Sequence, residues 1–235
     1  MKGSDQLADV AAATRRAPRD RLPALLDVVQ SISGLALVMF LGMHLLLDAA
    51  ILIGPSAADA VARAFEGQYL FGTAHPWIVS LAALALLALI VVHAVLALRK
   101  LPHSTREYVA FRHHLRGINH GDTRLWWWQV VTGMALFFLI APHLYIVITQ
   151  PETIGASASA HRVVAERAWV LYAILLPVVL LHAAAGTYRM VVKWGWPKLS
   201  RVRLRPWVWG IAGAYCVLGL AALVAYTILG LRLTE

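Results

Sequence analysis

The stretch VVQSISGLALVMFLGMHLLL, residues 28–47, runs without a single charged side chain. A helix of about 20 residues at 1.5 Å per residue spans roughly 30 Å, the thickness of a bilayer's hydrocarbon core. Four further charge-free stretches of comparable length follow, at about 77–98, 125–149, 168–188 and 206–231. The whole chain has 235 residues, 60% of them hydrophobic, and a mean hydropathy of +0.68. A soluble domain is closer to half apolar. The expected fold is therefore an all-α membrane protein with five transmembrane helices. Residues 1–27 mix Arg15, Arg16 and Arg19 with Asp5, Asp9 and Asp20, and the first apolar run is too long for the core of a cleavable signal. The expected organisation is a cytoplasmic N-terminal segment, 1–27, followed by a transmembrane domain, 28–235.

The net charge of +9 raises nucleic-acid binding as a function class. Its distribution argues for topology instead. Of 21 Lys and Arg, five lie in residues 1–27, six in 99–124 and six in 189–205. These three regions fall on the same side of a five-helix chain, so the positive-inside rule places the N-terminus in the cytoplasm and the C-terminus outside. No nucleic-acid partner is needed to account for the charge. The single cysteine, Cys216, excludes a disulfide within the chain, a C-x-x-C-H haem attachment and a cysteine-ligated iron–sulfur cluster.

Of ten histidines, His75, His103, His113, His114, His120 and His161 lie in or beside polar loops, where water, headgroups or a partner can satisfy them. His44, His93, His143 and His182 instead lie one in each of the first four spans. A polar side chain at that depth is costly unless something binds it. His44 is four residues before Asp48, roughly 6 Å from the outer edge, and His93 is six before Arg99, roughly 9 Å from the inner edge. His143 falls in the outer half of its span and His182 in the inner half. They sort into an outer pair, His44 with His143, and an inner pair, His93 with His182, each drawn from two helices.

Two imidazoles facing one another across a bundle are what a six-coordinate haem iron requires. A proton relay would want neighbouring carboxylates, and spans two to five contain no Asp or Glu. A structural or catalytic metal site would want three or four ligands at one depth. Two bis-histidine b haems fit the pattern best. Lys100, Arg189 and Lys193 share helix faces with the inner histidines and point to the cytoplasmic side, where propionates or the positive-inside rule explain them equally. Gly186, one turn after His182, offers close approach to a flat macrocycle. Pro142 and Pro177 lie inside spans, where neighbouring helices absorb a kink. Gln30 and Ser31 open the first span at the inner level, and Trp126-Trp127-Trp128 opens the third as an interfacial belt or, less readily, a haem-handling motif.

One histidine on each of the first four of five helices, with no cysteine ligand, in about 235 residues resembles the dihaem cytochrome b membrane subunit of fumarate reductases and succinate dehydrogenases. The match is to the single-subunit, menaquinone-linked type and covers essentially the whole chain. The resemblance implies a haem on His44 and His143 near the outside and another on His93 and His182 near the cytoplasm. It implies that Gln30, Ser31, Trp126 and Lys193 hold the inner propionates and that Arg162 lies near the outer haem. Glu66, in AFEGQYLF, reads from the residues alone as an ordinary loop acid; the resemblance makes it the proton acceptor of menaquinol oxidation. It also implies iron–sulfur and flavoprotein subunits on the cytoplasmic face, a dimer of such heterotrimers, and residence in the bacterial inner membrane. Position 180 departs from some members: Leu180 stands where they carry a glutamate that supports transmembrane proton movement.

Loops carrying Tyr108, Phe111 and Trp196 among arginines offer docking surface for those subunits, or for anionic lipid. Two rival readings stay open on the residues alone. The cytochrome b subunit of a hydrogenase, formate dehydrogenase or nitrate reductase would distribute its histidines differently. A haem or solute transporter would use them transiently. Dicarboxylate chemistry belongs to a partner, since the chain has neither cluster ligands nor a dinucleotide fingerprint.

Overall fold

The computed structural model describes residues 21–102, 104–109, 113, 121–195 and 200–235, with the side chains of 121–123 left aside. His103, His114, His120, Phe111, Trp196 and residues 1–20 lie outside the described residues. Within them the chain is helical, with no strand. Five helices are long and apolar enough to cross a membrane: α1 (Leu22–Asp48, prolonged by a 3-10 turn, Ala49–Leu52), α4 (Trp77–Leu98), α5 (Gly121–Thr149), α7 (Trp169–Trp194) and α8 (Arg201–Thr234). Shorter helices occupy the connections: α2 (Pro55–Phe65) and α3 (Gln68–Phe71) between α1 and α4, and α6 (Ala156–Val164) between α5 and α7.

Several helices outrun the apolar stretches that announce them. α1 starts at Leu22 with Pro23 in its first turn, α7 continues to Trp194, and α8 begins at Arg201. Their ends carry charged residues that keep helical hydrogen bonds while reaching water. α7 stops at Gly195, whose φ of +65° is the left-handed conformation that ends helices and that glycine adopts without strain. Pro142 and Pro177 are accommodated inside uninterrupted helices.

The first four spans close on one another. α1 packs on α4, α4 on α5, α5 on α7, and α7 returns to α1, while α8 lies outside this ring against α7, α1 and α6. Small residues bring α8 close. Gly219 lies under Leu176, Gly42 faces the Tyr215 hydroxyl, and Gly230 lies directly on the backbone carbonyl of Ala160. Such close approach, rather than hydrophobic collapse, is what holds helices together where lipid is as apolar as leucine. A second tie joins the connections: Asp59 Oδ1 accepts the Ala156 N–H at 2.7 Å, capping α6 from α2. Large side chains such as Phe138, Val217 and Leu46 point outward, as expected of a lipid-facing surface.

Candidate functional site

The ring of α1, α4, α5 and α7 encloses a cavity of about 900 Å³, and His44, His93, His143 and His182 all line it. The outer pair meets directly: the His44 and His143 ring centres lie 6.1 Å apart, their planes tilted by 50°. Two metal–imidazole bonds of about 2 Å each, plus the radii of two imidazole rings, add up to roughly 6 Å. Phe40 stacks on His44 at 5.6 Å, and Tyr172 sets its ring edgewise to His143 at 5.7 Å. Nδ1 of His143 is buried with no hydrogen-bond partner among the described residues. Nor do the described residues gather three His, Cys, Asp or Glu side chains at one point. A metal held by two histidines takes its remaining ligands from elsewhere, as a porphyrin supplies them, so the donor set and the cavity fit haem.

The inner pair is built differently. His93 Nδ1 lies 3.1 Å from Ser33 Oγ, and His182 Nδ1 lies 3.1 Å from Thr132 Oγ1. The Thr132 hydroxyl donates to the Trp128 carbonyl at 2.7 Å, and the Ser33 hydroxyl to the Gln30 carbonyl at 3.0 Å. With their protons so engaged, both oxygens accept from the imidazoles. His182 Nδ1 also approaches the Gln129 carbonyl at 3.1 Å, and a carbonyl can only accept. Both inner histidines therefore carry their proton on Nδ1 and offer Nε2 with a free lone pair. Glycine makes room for them: a Cβ on Gly34 would meet His93 Cε1 at 2.9 Å, and one on Gly133 would meet His182 Cε1 at 3.1 Å.

At the inner mouth, Asp27 gathers Arg99 at 2.7 Å, Lys100 at 2.9 Å and Lys193 at 2.8 Å. Gln30, Ser31, Trp126 and Lys193 all line the cavity. Gln30 Oε1 is buried and without a hydrogen-bond partner among the described residues. Ser31 is occupied, donating to the Asp27 carbonyl at 2.9 Å and accepting from Trp194 Nε1 at 3.0 Å. The tryptophan run divides: Trp126 faces the cavity, whereas Trp127 and Trp128 are exposed. Arg189 turns to Gln129, Nη1 to Oε1 at 2.5 Å, and the Gln129 amide fills the space over Gly186. Gly186 itself lines the cavity beside that side chain.

At the outer end, Arg162 is buried, donating to the Thr153 carbonyl at 2.9 Å and to the Thr153 hydroxyl. Its charge lies close to Tyr172, the residue against His143. Asp48, half-buried, and Tyr226 of α8 both line the cavity wall. Glu66 follows the last turn of α2, and its carbonyl accepts the His75 N–H at 2.8 Å. Its neighbour Phe65 lines the cavity, but Glu66 does not. Leu180 is buried against Leu45 and Leu176, so a wholly apolar packing occupies that position.

A family model described as succinate dehydrogenase/fumarate reductase transmembrane subunit matches residues 105–220. The fumarate reductase cytochrome b subunit of Helicobacter pylori is 42% identical over 213 residues, spanning 90% of this chain and 84% of that one. The fumarate reductase cytochrome b subunit of Wolinella succinogenes is 39% identical over 240 residues, spanning 100% of this chain and 94% of that one.

This chain belongs to the fumarate reductase cytochrome b subunit family. Its five apolar helices agree with a multi-pass protein of the bacterial inner membrane. Cytochrome b in the family's name implies haem b, and membership makes the chain part of an oxidoreductase complex. Residues that composition and spacing passed over in this cytochrome b chain are Ser33, Gly34, Gln129, Thr132 and Gly133. Their signal is a repeat: Gln30-x-x-Ser33-Gly34 with His44 ten residues on, and Gln129-x-x-Thr132-Gly133 with His143 ten residues on.

Proposed function

We propose that this chain is the membrane anchor and electron-transfer subunit of a quinol:fumarate reductase or succinate:quinone reductase, holding two b haems. The observation that carries it is the arrangement of four histidines as two pairs in one cavity, the outer pair 6.1 Å apart. His44 and His143 would hold the outer iron and His93 and His182 the inner one. When bound, the haems supply one-electron chemistry that this chain's side chains lack.

Each residue's part follows from its surroundings. Gln30, through its amide N–H, and Lys193, at the mouth, would receive the inner propionates together with Ser31 and Trp126. Ser31 would have to release the Asp27 carbonyl to donate. Arg162 places a buried positive charge beside the outer pair, where it would meet outer propionates. Menaquinol would be oxidised at the outer end, with Glu66 taking a proton on the rim rather than inside the cavity. Electrons would leave at the basic cytoplasmic face to an iron–sulfur subunit and from there to a flavoprotein subunit, in heterotrimers that pair as a dimer. The N-terminus and the segment 1–27 would be cytoplasmic and the C-terminus outside, as the charge distribution requires. With Leu180 in an apolar cluster, no carboxylate at that position compensates the electron flow.

The test is haem per chain in the detergent-purified protein, by pyridine haemochrome, with a reduced-minus-oxidised spectrum. Two b haems are expected, with His44→Ala and His93→Ala each removing one. A substoichiometric or variable content would overturn the dihaem reading in favour of transient haem handling.

A further inference from the structure

Two hydroxyls on different helices make the same contact with the inner histidines. Ser33 on α1 and Thr132 on α5 each stand 3.1 Å from an Nδ1, each with its own proton engaged by a carbonyl of its own helix. Each is followed by a glycine whose missing side chain leaves the space the ring fills. The outer pair has no such device: His143 Nδ1 is unpartnered among the described residues, and His44 is stacked on a phenylalanine. The hydroxyl–glycine pairs thus recur where the ring must be held and are absent where aromatic side chains hold it instead.

We propose that Ser33 and Thr132 are positioning residues of the inner haem that fix both imidazoles as Nδ1–H donors and thereby lower that haem's midpoint potential relative to the same haem without them. A hydrogen bond accepted from Nδ1–H makes Nε2 a stronger donor, which stabilises ferric over ferrous iron. It also fixes ring orientation, because a rotating imidazole would lose its hydroxyl partner. The outer haem, lacking both contacts, is tuned separately by this chain. The inference rests on the dihaem reading above.

The test is an optical redox titration of the purified protein carrying Ser33→Ala, Thr132→Val or both, with haem counted in each. The expected result is that both single variants keep two haems and raise one and the same midpoint, Thr132→Val by less because the Gln129 carbonyl still accepts from His182 Nδ1, that the double variant raises it further, and that the other midpoint stays in place. That two substitutions on separate helices act on one haem is the signature a general loosening would not give. Ser33→Thr and Thr132→Ser keep the accepting oxygen and should return the midpoint to the wild-type value, including where an apolar variant loses haem. Unmoved midpoints with full haem content, both midpoints moving alike, or hydroxyl-retaining variants shifting as far as the apolar ones would each overturn the proposal. A wild-type protein without two haems would overturn the dihaem reading itself and is told apart by the haem count alone.

Discussion

Lys193 Nζ and Asp27 Oδ2 lie 2.8 Å apart although 166 residues separate them in the chain. The contact ties the end of α7 to the start of α1 at the mouth of the cavity, and Asp27 holds Arg99 and Lys100 of the α4 end at the same point. The partners are about a third exposed, so each pair contributes less than about 1 kcal/mol after screening by solvent. Asp27→Asn should lower the thermal midpoint of the detergent-solubilised protein at low salt. The difference should shrink toward zero near 1 M salt, where the Debye length falls to about 3 Å. An equal loss at both salt concentrations would show that packing, not charge, ties the three helices here.

Gly34→Ala and Gly133→Ala each place a methyl group within 2.9 or 3.1 Å of an inner histidine's Cε1. That ring cannot retreat without giving up its hydroxyl partner. Each variant should lose one haem of two while keeping the other, as counted by pyridine haemochrome. Gly210→Ala, which meets nothing within 4 Å, serves as the control and should keep both. Full haem in the first two variants would mean that the rings are free to shift.

Gly230→Ala drives a methyl group into the Ala160 carbonyl and the Val164 side chain. Neither the carbonyl nor the helix that carries it can move far, so an overpacking loss of about 1–3 kcal/mol is expected. Unfolding in a mixed-detergent titration measures it. Haem content should be unchanged in the folded fraction, because α8 lies outside the ring.

Asp59→Ala removes the acceptor that caps α6 through the Ala156 N–H. A cap of this kind contributes about 1 kcal/mol. Limited proteolysis of the α5–α7 connection should become faster in the variant and return to the wild-type rate in Asp59→Asn, which keeps an accepting oxygen. A rate unchanged in Asp59→Ala would show that the connection is held by its apolar packing alone.

The five spans were legible because a bilayer imposes a length and a polarity on every crossing segment, and the structure brings His44 and His143 together at the depth the sequence assigned them. The partners of the inner histidines were not legible in the same way. Ser33 and Thr132 touch rings 60 and 50 residues away, and a serine or threonine in a span reads locally as a residue bonding its own helix. Gly186 lines the cavity, and the Gln129 amide that its missing side chain admits lies 57 residues away in sequence, beyond the reach of local pattern. The division of the tryptophan run, one ring inward and two outward, depends on the rotation of α5 about its axis, which no uniform run of residues encodes. Glu66 was placed by resemblance alone, and its position beside rather than in the cavity wall depends on where α2 ends.

The repeated Gln-x-x-Ser/Thr-Gly segment bears on how the molecule can be divided. α1 with α4 contributes His44 and His93, while α5 with α7 contributes His143 and His182, so on the proposed assignment each half of the bundle would supply one imidazole to the outer site and one to the inner. Neither hairpin contains a complete pair, and cutting the chain between them leaves two fragments with half of everything. If the four histidines hold two haems as proposed, the smallest unit able to carry an electron from one membrane face to the other would be all four helices at once, and assembly of the bundle and acquisition of its conductor would be a single event.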